Sequence, residues 1–203
     1  LMSDTQMVLP TEKVMYQAQE VAAVIATDRY AAADGVAAVE VEYDPLPVIV
    51  DPYKSLEPGA QVLRTDKPDK KDNHIFHWEA GDRAGTDQAI KDAAVVVKEH
   101  IYIPRIHVAS IETCGCVASF DKVTGQLTVW MTTQAPHAIR TVFALVAGHV
   151  GLSEERIRII SPDMGGGFGG KVPVYPGYVI AVAASVVIGK PVKWIEDRME
   201  NLQ

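Results

Sequence analysis

With 203 residues, 48% of them apolar, the chain has enough hydrophobic mass for one large or two small packed domains, which argues against disorder. Its net charge of −7, from 19 basic against 26 acidic side chains, argues against a nucleic-acid surface, which needs clustered Lys and Arg. Two cysteines, Cys114 and Cys116, are too few for a disulfide framework and point to a reducing intracellular compartment. The longest apolar stretch, Tyr178 to Gly189, falls short of the roughly 20 residues of a membrane span. The chain opens at Leu1 and stops at Gln203 with no leader or finishing feature, so it reads as truncated at both ends.

In chain order, the apolar run Val21 to Ala26 predicts a buried strand. Asp28 is placed to N-cap a helix over Arg29 to Ala38, and Val39 to Tyr43 alternates as a strand. Asp44-Pro45-Leu46-Pro47 breaks this unit. Residues 51–83 turn polar, with Pro52, Pro58, Pro68 and the charge run Asp66 to Asp72, and read as a linker. Val95 to Pro104 predicts a strand. Val117 to Asp121 and Leu127 to Thr132 predict a hairpin with Gly125 in its turn. Ala135 to Ala147 carries Ile139, Val142, Phe143 and Val146 on one helical face. Ser153 opens a short helix with Glu154 and Glu155 in its first turn, where the helix dipole favours them. A strand over Ile157 to Ser161, an apolar helix over Tyr175 to Ile188 and a strand over Val192 to Glu196 complete an α/β pattern.

Between the strand at 157–161 and that last helix lies Gly165-Gly166-Gly167-Phe168-Gly169-Gly170-Lys171. Glycine lets backbone N–H groups converge on a ligand without Cβ interference, and a following helix would add its own unpaired N–H groups and dipole. The plain alternative is a flexible surface loop, but a bare loop seldom places Phe inside a glycine run and Lys at its end. A dinucleotide fingerprint is met by Gly165, Gly167 and Gly170, yet Pro162, Asp163 and Met164 separate the strand from the first glycine, and the acidic Glu196 comes late. A phosphate loop is met by Gly165, Gly170 and Lys171, yet Val172 stands where a hydroxyl must reach magnesium. Both nucleotide readings are weak.

The phrase from Ser161 to Lys171 resembles the molybdopterin loop of the xanthine dehydrogenase and aldehyde oxidase superfamily. Three other segments agree in order: Val21 to Pro52 with its Glu-Tyr-Asp-Pro-Leu-Pro stretch, Thr132-Thr133-Gln134-Ala135-Pro136-His137, and Pro191 to Arg198. Within that superfamily, His107 to Cys116, Phe76 to Asp82 and Glu196 to Leu202 are most similar to the large subunits of the aerobic carbon monoxide dehydrogenase branch. Gly170 stands where that branch commonly has Asn and the wider superfamily Gly.

The resemblance implies a fold and a domain division. The fold would be the C-terminal part of an α/β hammerhead domain at residues 1–60, a linker at 61–83 and the first part of a molybdopterin-binding domain at 84–203. It implies backbone contacts from Gly166, Gly167, Phe168 and Gly169 to the cofactor, and an amide donor from Gln134, which suits an oxo ligand without competing as a metal ligand. The implied reaction takes carbon monoxide and water to carbon dioxide, two protons and two electrons. The cofactors implied are a molybdenum-bearing molybdopterin as its cytosine dinucleotide, copper at a site outside this chain, and FAD and [2Fe-2S] clusters on partner subunits. The assembly would be a cytoplasmic dimer of heterotrimers with an FAD-binding medium subunit and an iron–sulfur small subunit, which could lie at the inner face of the membrane. An aldehyde or N-heterocycle hydroxylase and a non-catalytic cofactor or assembly module are the alternatives.

No residue of the chain is a good general base, and none is assigned to a metal. The superfamily's catalytic glutamate lies C-terminal to Gln203, so this chain alone should turn nothing over. The copper-bearing cysteine belongs to another motif, and Cys114 and Cys116, on one face of a strand, read as packing residues. His107, Glu112 and His137 read as structural hydrogen-bonding groups. His74, His77, His100 and His149 show no ligand spacing.

Overall fold

The computed structural model describes residues 7–148 and 151–203, which leaves His149 outside the described residues. They divide into two compact units, one over Tyr43–Ile106 and one combining Met7–Glu42 with His107–Gln203.

The second unit is built on a four-stranded sheet. Strict alternation in two neighbouring runs sets its core face: β1 (Gly115–Asp121) buries Cys116 and Ala118, and β2 (Gln126–Met131) buries Leu127, Val129 and Met131. The two strands are antiparallel, with Cys116 opposite Met131 and Ala118 opposite Val129, so their buried residues share one face. Gly125 closes the turn at φ +69°, and its N–H donates to the Asp121 carbonyl at 2.8 Å. Asp121 also accepts from the Val123 N–H and the Thr124 hydroxyl, each at 2.8 Å. β3 (Ile157–Ile160) joins β2 in parallel and β4 (Val192–Ile195) joins β1 antiparallel, giving the order β3-β2-β1-β4.

Two helices cover the core face. In α3 (Pro136–Ala147), proline at the first turn presets the backbone, and Ile139 and Phe143, one turn apart, are buried. In α4 (Pro176–Ile188), Tyr178, Val179, Ala181 and Val182 enter the same core. Gly189 ends α4 in the left-handed region, donating to the Ser185 carbonyl at 2.8 Å. Ser185 is fully buried yet satisfied, because its hydroxyl donates to the Lys190 carbonyl and accepts the Phe120 N–H, both at 2.9 Å. Tyr178 meets Trp194 of β4 edge-to-face at 5.1 Å between ring centroids. α1 (Arg29–Ala37) begins where expected, with Asp28 accepting the Tyr30 and Ala31 N–H groups.

In the unit over Tyr43–Ile106, the polar stretch is organised around Asn73. Its amide donates to the Ser55 and Gln61 carbonyls and accepts from the Leu63 N–H, at 2.8–3.0 Å. α2 (Arg83–Asp92) follows, capped by Asp82, which accepts the Gly85 N–H at 2.9 Å. It buries no residue, so no apolar stripe announced it.

Three predicted strands are absent. Val21 to Ala26, Val39 to Tyr43 and Val95 to Pro104 form no ladder among the described residues. The reason is physical: an apolar extended run becomes a strand only when another strand pairs its backbone groups, and among the described residues none pairs with these. Val95, Val97, Ile101 and Ile103 are accordingly exposed. Among the described residues no helix is long and apolar enough to cross a membrane.

The α4–β4 contact is tight enough to test. A Cβ on Gly177 would sit 2.2 Å from the Trp194 ring. In the protein at its natural length, Gly177→Ala is expected to destabilise this unit by about 1–3 kcal/mol, read as a lower denaturant midpoint with an unchanged slope. An unchanged midpoint would refute the contact.

Candidate functional site

The site lies where three chain segments meet beyond the ends of β1, β2 and β3. After β2 the chain runs through Thr132, Thr133 and Gln134 before α3. Each of these residues is fixed. Thr132 shares a 3.0 Å hydrogen bond with the Tyr178 hydroxyl, which also donates to the Thr132 carbonyl at 2.8 Å. Thr133 is buried and donates to the Lys171 carbonyl, and its own carbonyl accepts the Ser161 hydroxyl at 2.9 Å. The Gln134 N–H donates to the Lys171 carbonyl at 3.0 Å.

This brings Gln134 under the glycine loop. Its Oε1 accepts the Gly169 N–H at 3.0 Å and the Lys171 N–H at 3.3 Å. With the oxygen so committed, Nε2 is the end of the amide left to donate to something else. Gly167 presses on the same side chain: a Cβ there would lie 2.5 Å from Gln134 Cδ. The loop closes on itself through Gly170 N–H to the Gly167 carbonyl at 2.8 Å, and the Tyr175 hydroxyl holds the Gly170 carbonyl at 2.6 Å.

Gly166, Phe168 and Gly169 all take positive φ, at 98°, 50° and 89°. For Phe168 that conformation is strained, and its ring stands 74% exposed beside Gly166. The N–H groups of Gly166, Gly167 and Phe168 have no acceptor among the described residues. Three neighbouring unpaired donors, a Cβ-free surface and a free amide donor make a cradle for electronegative atoms. The helix dipole expected to assist is displaced: α4 begins at Pro176, beyond Lys171 to Tyr175, so the loop's own turn supplies the donors.

Lys171 does not behave as a phosphate-loop lysine. Its side chain turns inward, 2% exposed, and Nζ donates to Glu112 Oε2 at 2.7 Å. That oxygen also accepts the Gly165 N–H at 2.8 Å, while the Glu112 N–H donates back to the Gly165 carbonyl at 3.3 Å. The Lys171 hydrogen bond, helped by the Gly165 N–H, holds the Glu112 carboxyl below the usual glutamate range, against the opposing effect of burial.

The Glu112 segment is anchored in turn by β4 and α5 (Arg198–Asn201). The Arg198 guanidinium donates to the Ser110 and Ile111 carbonyls at 2.7 Å. Glu196 accepts the Cys114 N–H and the Asn201 amide, and its carbonyl accepts the Thr113 hydroxyl. A reciprocal Asp197–Glu200 cap fixes α5.

Of the residues singled out from sequence, Gln134 and Gly166 to Gly169 come together here. Among the described residues His107 accepts the Ala109 N–H through Nδ1, and Glu154 pairs with Arg140 at 3.1 Å. Cys114 and Cys116 are buried in the core, and burial raises both thiols, Cys116 to about 12. Among the described residues no group of three His, Cys, Asp or Glu side chains could hold a metal ion. Sequence reasoning missed the Glu112–Lys171 pair. Lys171 was visible at the loop's end, but no local pattern links residues 59 apart.

The molybdopterin cofactor-binding domain model matches residues 66–203, and the aldehyde oxidase and xanthine dehydrogenase a/b hammerhead model matches residues 1–47. The chain is 54% identical to the carbon monoxide dehydrogenase large chain of Hydrogenophaga pseudoflava, over all of this chain and 26% of that one. It is 35% identical to the nicotine 6-hydroxylase large subunit of Paenarthrobacter nicotinovorans, over 98% of this chain and 23% of the other. The crystal structure of a Cu,Mo-CO dehydrogenase in its carbon monoxide reduced state superimposes with a TM-score of 0.87 at 55% identity, covering 97% of this chain and 26% of that one. The chain thus spans about a quarter of the length of the relatives it matches.

The Glu112 environment gives a pH prediction with a fixed sign. A carboxyl whose folded pKa is depressed adds stability above its unfolded value, about 4.3, and loses it as pH falls through the folded value. In the natural-length protein, the unfolding midpoint should therefore drop more steeply below about pH 4.3 than in Glu112→Gln, and the difference between the two should vanish at lower pH. Parallel curves over the whole range would contradict it.

Proposed function

The chain belongs to the family of molybdopterin cofactor-binding domains, and from this premise we propose that it is the part of a carbon monoxide dehydrogenase large subunit that receives the molybdenum cofactor. The observation that carries the substrate assignment is 54% identity along the whole chain to a carbon monoxide dehydrogenase large chain, against 35% to the nicotine hydroxylase subunit. The domain division at residues 1–60, 61–83 and 84–203 belongs to the same proposal.

The residues present fit the group. The N–H groups of Gly166, Gly167 and Phe168 would hold oxo and pterin oxygen atoms, and the absence of a Cβ at Gly167 keeps the Gln134 amide close beneath them. Gly169 contributes chiefly through Gln134: its N–H fixes Oε1, so that Nε2 donates toward the ligand. When bound, the molybdenum cofactor supplies the two-electron oxidation that carbon monoxide and water undergo to give carbon dioxide and two protons. These protein donors are uncharged and already oriented, so negative charge developing on oxygen is met without reorganisation. Phe168, exposed beside Gly166, would offer a bound group an apolar edge.

The remaining parts of the proposal concern the whole protein. The cytosine dinucleotide form of the pterin, a copper site outside this chain, FAD and iron–sulfur partner subunits, a dimer of heterotrimers and a cytoplasmic location follow from the sequence resemblance. The copper in the solved relative supports one of them.

The test is elemental and kinetic. The natural-length protein, purified with its partners, should hold about one molybdenum atom per large subunit and reduce a dye with carbon monoxide. A folded complex without molybdenum would sink the cofactor assignment, and turnover of an aldehyde or N-heterocycle but not carbon monoxide would sink the substrate. Gln134→Glu keeps an acceptor for Gly169 and Lys171 but removes the donor, so kcat should fall on the order of 100-fold. Undiminished turnover would remove Gln134 from the site.

A further inference from the structure

We infer that Glu112 and Lys171 are positioning residues that hold the glycine loop in its receiving shape before the cofactor arrives. The inference rests on the proposed cofactor site and adds two residues whose charged groups engage each other. One carboxylate oxygen, Glu112 Oε2, takes the Gly165 N–H at 2.8 Å and the Lys171 ammonium at 2.7 Å. Those two residues are the first and last of the loop. A single atom therefore pins both ends, and the unpaired N–H groups of Gly166, Gly167 and Phe168 lie on the arc between.

Lys171 also connects the loop to Gln134. Its N–H donates to Gln134 Oε1, and its carbonyl accepts the Gln134 N–H and the Thr133 hydroxyl. Its backbone thus grips the amide while its side chain grips Glu112. An ammonium buried to 2% exposure has to keep a counter-ion, and Glu112 is the acceptor given to its Nζ. The backbone is equally constrained: Gly165 faces the Glu112 side chain so closely that a Cβ would lie 2.6 Å from the Glu112 Cβ. Glycine at 165 is what allows the carboxylate to pass beneath the loop and reach Lys171.

Because the ammonium is spent on Glu112, the loop meets its ligand with neutral donors alone. The pair contributes order. A loop of five glycines has unusual conformational freedom to lose, and fixing it at both ends removes that cost from the binding step.

The experiment uses the natural-length protein with its partners, and three variants: Lys171→Met, Glu112→Gln and Lys171→Arg, the last keeping a cation opposite Glu112. Molybdenum and pterin are measured per folded large subunit, alongside the thermal midpoint. Amide hydrogen exchange over residues 165–171 is followed in cofactor-free protein. Lys171→Met and Glu112→Gln should each lose at least about tenfold in occupancy, with loop exchange faster by about tenfold, the latter equivalent to ~1.4 kcal/mol of lost loop order. Lys171→Arg should recover part of both. Wild-type occupancy and exchange in the two neutral variants would overturn the inference.

If a lone buried charge prevents folding of a single variant, the double variant Glu112→Gln with Lys171→Met leaves none unpaired and decides. Folded but empty supports the inference, whereas folded and loaded, or unfolded, overturns it. Wild-type protein that is folded but free of molybdenum would refute the cofactor reading instead. The exchange measurement in cofactor-free protein would still report whether the pair orders the loop.

Discussion

A lysine ammonium removed from water needs a partner within hydrogen-bond reach, or it loses its proton or the fold. Lys171 meets that requirement with Glu112, and much of the site's geometry follows from where that partner stands. The carboxylate must lie under the glycine loop, so Gly165 can carry no side chain. The segment bearing Glu112 must stay in place, which accounts for the hydrogen bonds from Arg198 to Ser110 and Ile111, and for those linking Thr113 and Cys114 to Glu196. The four-residue helix α5, too short to stand alone, is held by its reciprocal Asp197–Glu200 cap and carries that arginine.

The division of labour between charge and dipole sets the chemistry. Full charges at the site are paired with each other beneath the loop, and the surface offered to a ligand consists of N–H groups and one amide. An oxo-bearing anion on such a surface is held by orientation more than by net attraction, which favours a specific shape over any polyanion. Gly170 shows how little room remains. A Cβ there would lie 2.8 Å from Val108 Cγ2 and 3.3 Å from the Gly167 carbonyl. An asparagine at this position would require the neighbour at 108 to move or shrink.

What could be read from the sequence follows from what kind of pattern each feature leaves. The β1–β2 hairpin and α3 show periodicities of two and near four, α4 shows as a continuous apolar run, and the structure has all of them within a residue or two of the expected bounds. α2 leaves no such trace, because none of its residues is buried. The runs at 21–26, 39–43 and 95–104 have strand composition but no pairing partner, and composition cannot supply one. At the site, Gln134 and the glycines were legible because they are contiguous phrases. Glu112 was legible as a structural hydrogen-bonding group but its partner was not, since that partner is a lysine far along the chain. The helix after the loop is legible in the sequence but its distance from the loop is not: α4 starts at Pro176, and the loop's own turn presents the donors.

The order in which these contacts close along the chain has a consequence for synthesis. The β1–β2 hairpin links residues from 5 positions apart (Asp121 and Gln126) to 15 apart (Cys116 and Met131), and can form soon after it leaves the ribosome. The site cannot. Glu112 waits 59 residues for Lys171, Thr113 waits 83 for Glu196, and Ser110 waits 88 for Arg198. During vectorial translation the receiving loop is made before the elements that brace it. The bracing of that loop is complete only once β4 and α5 have emerged and closed over the earlier segment.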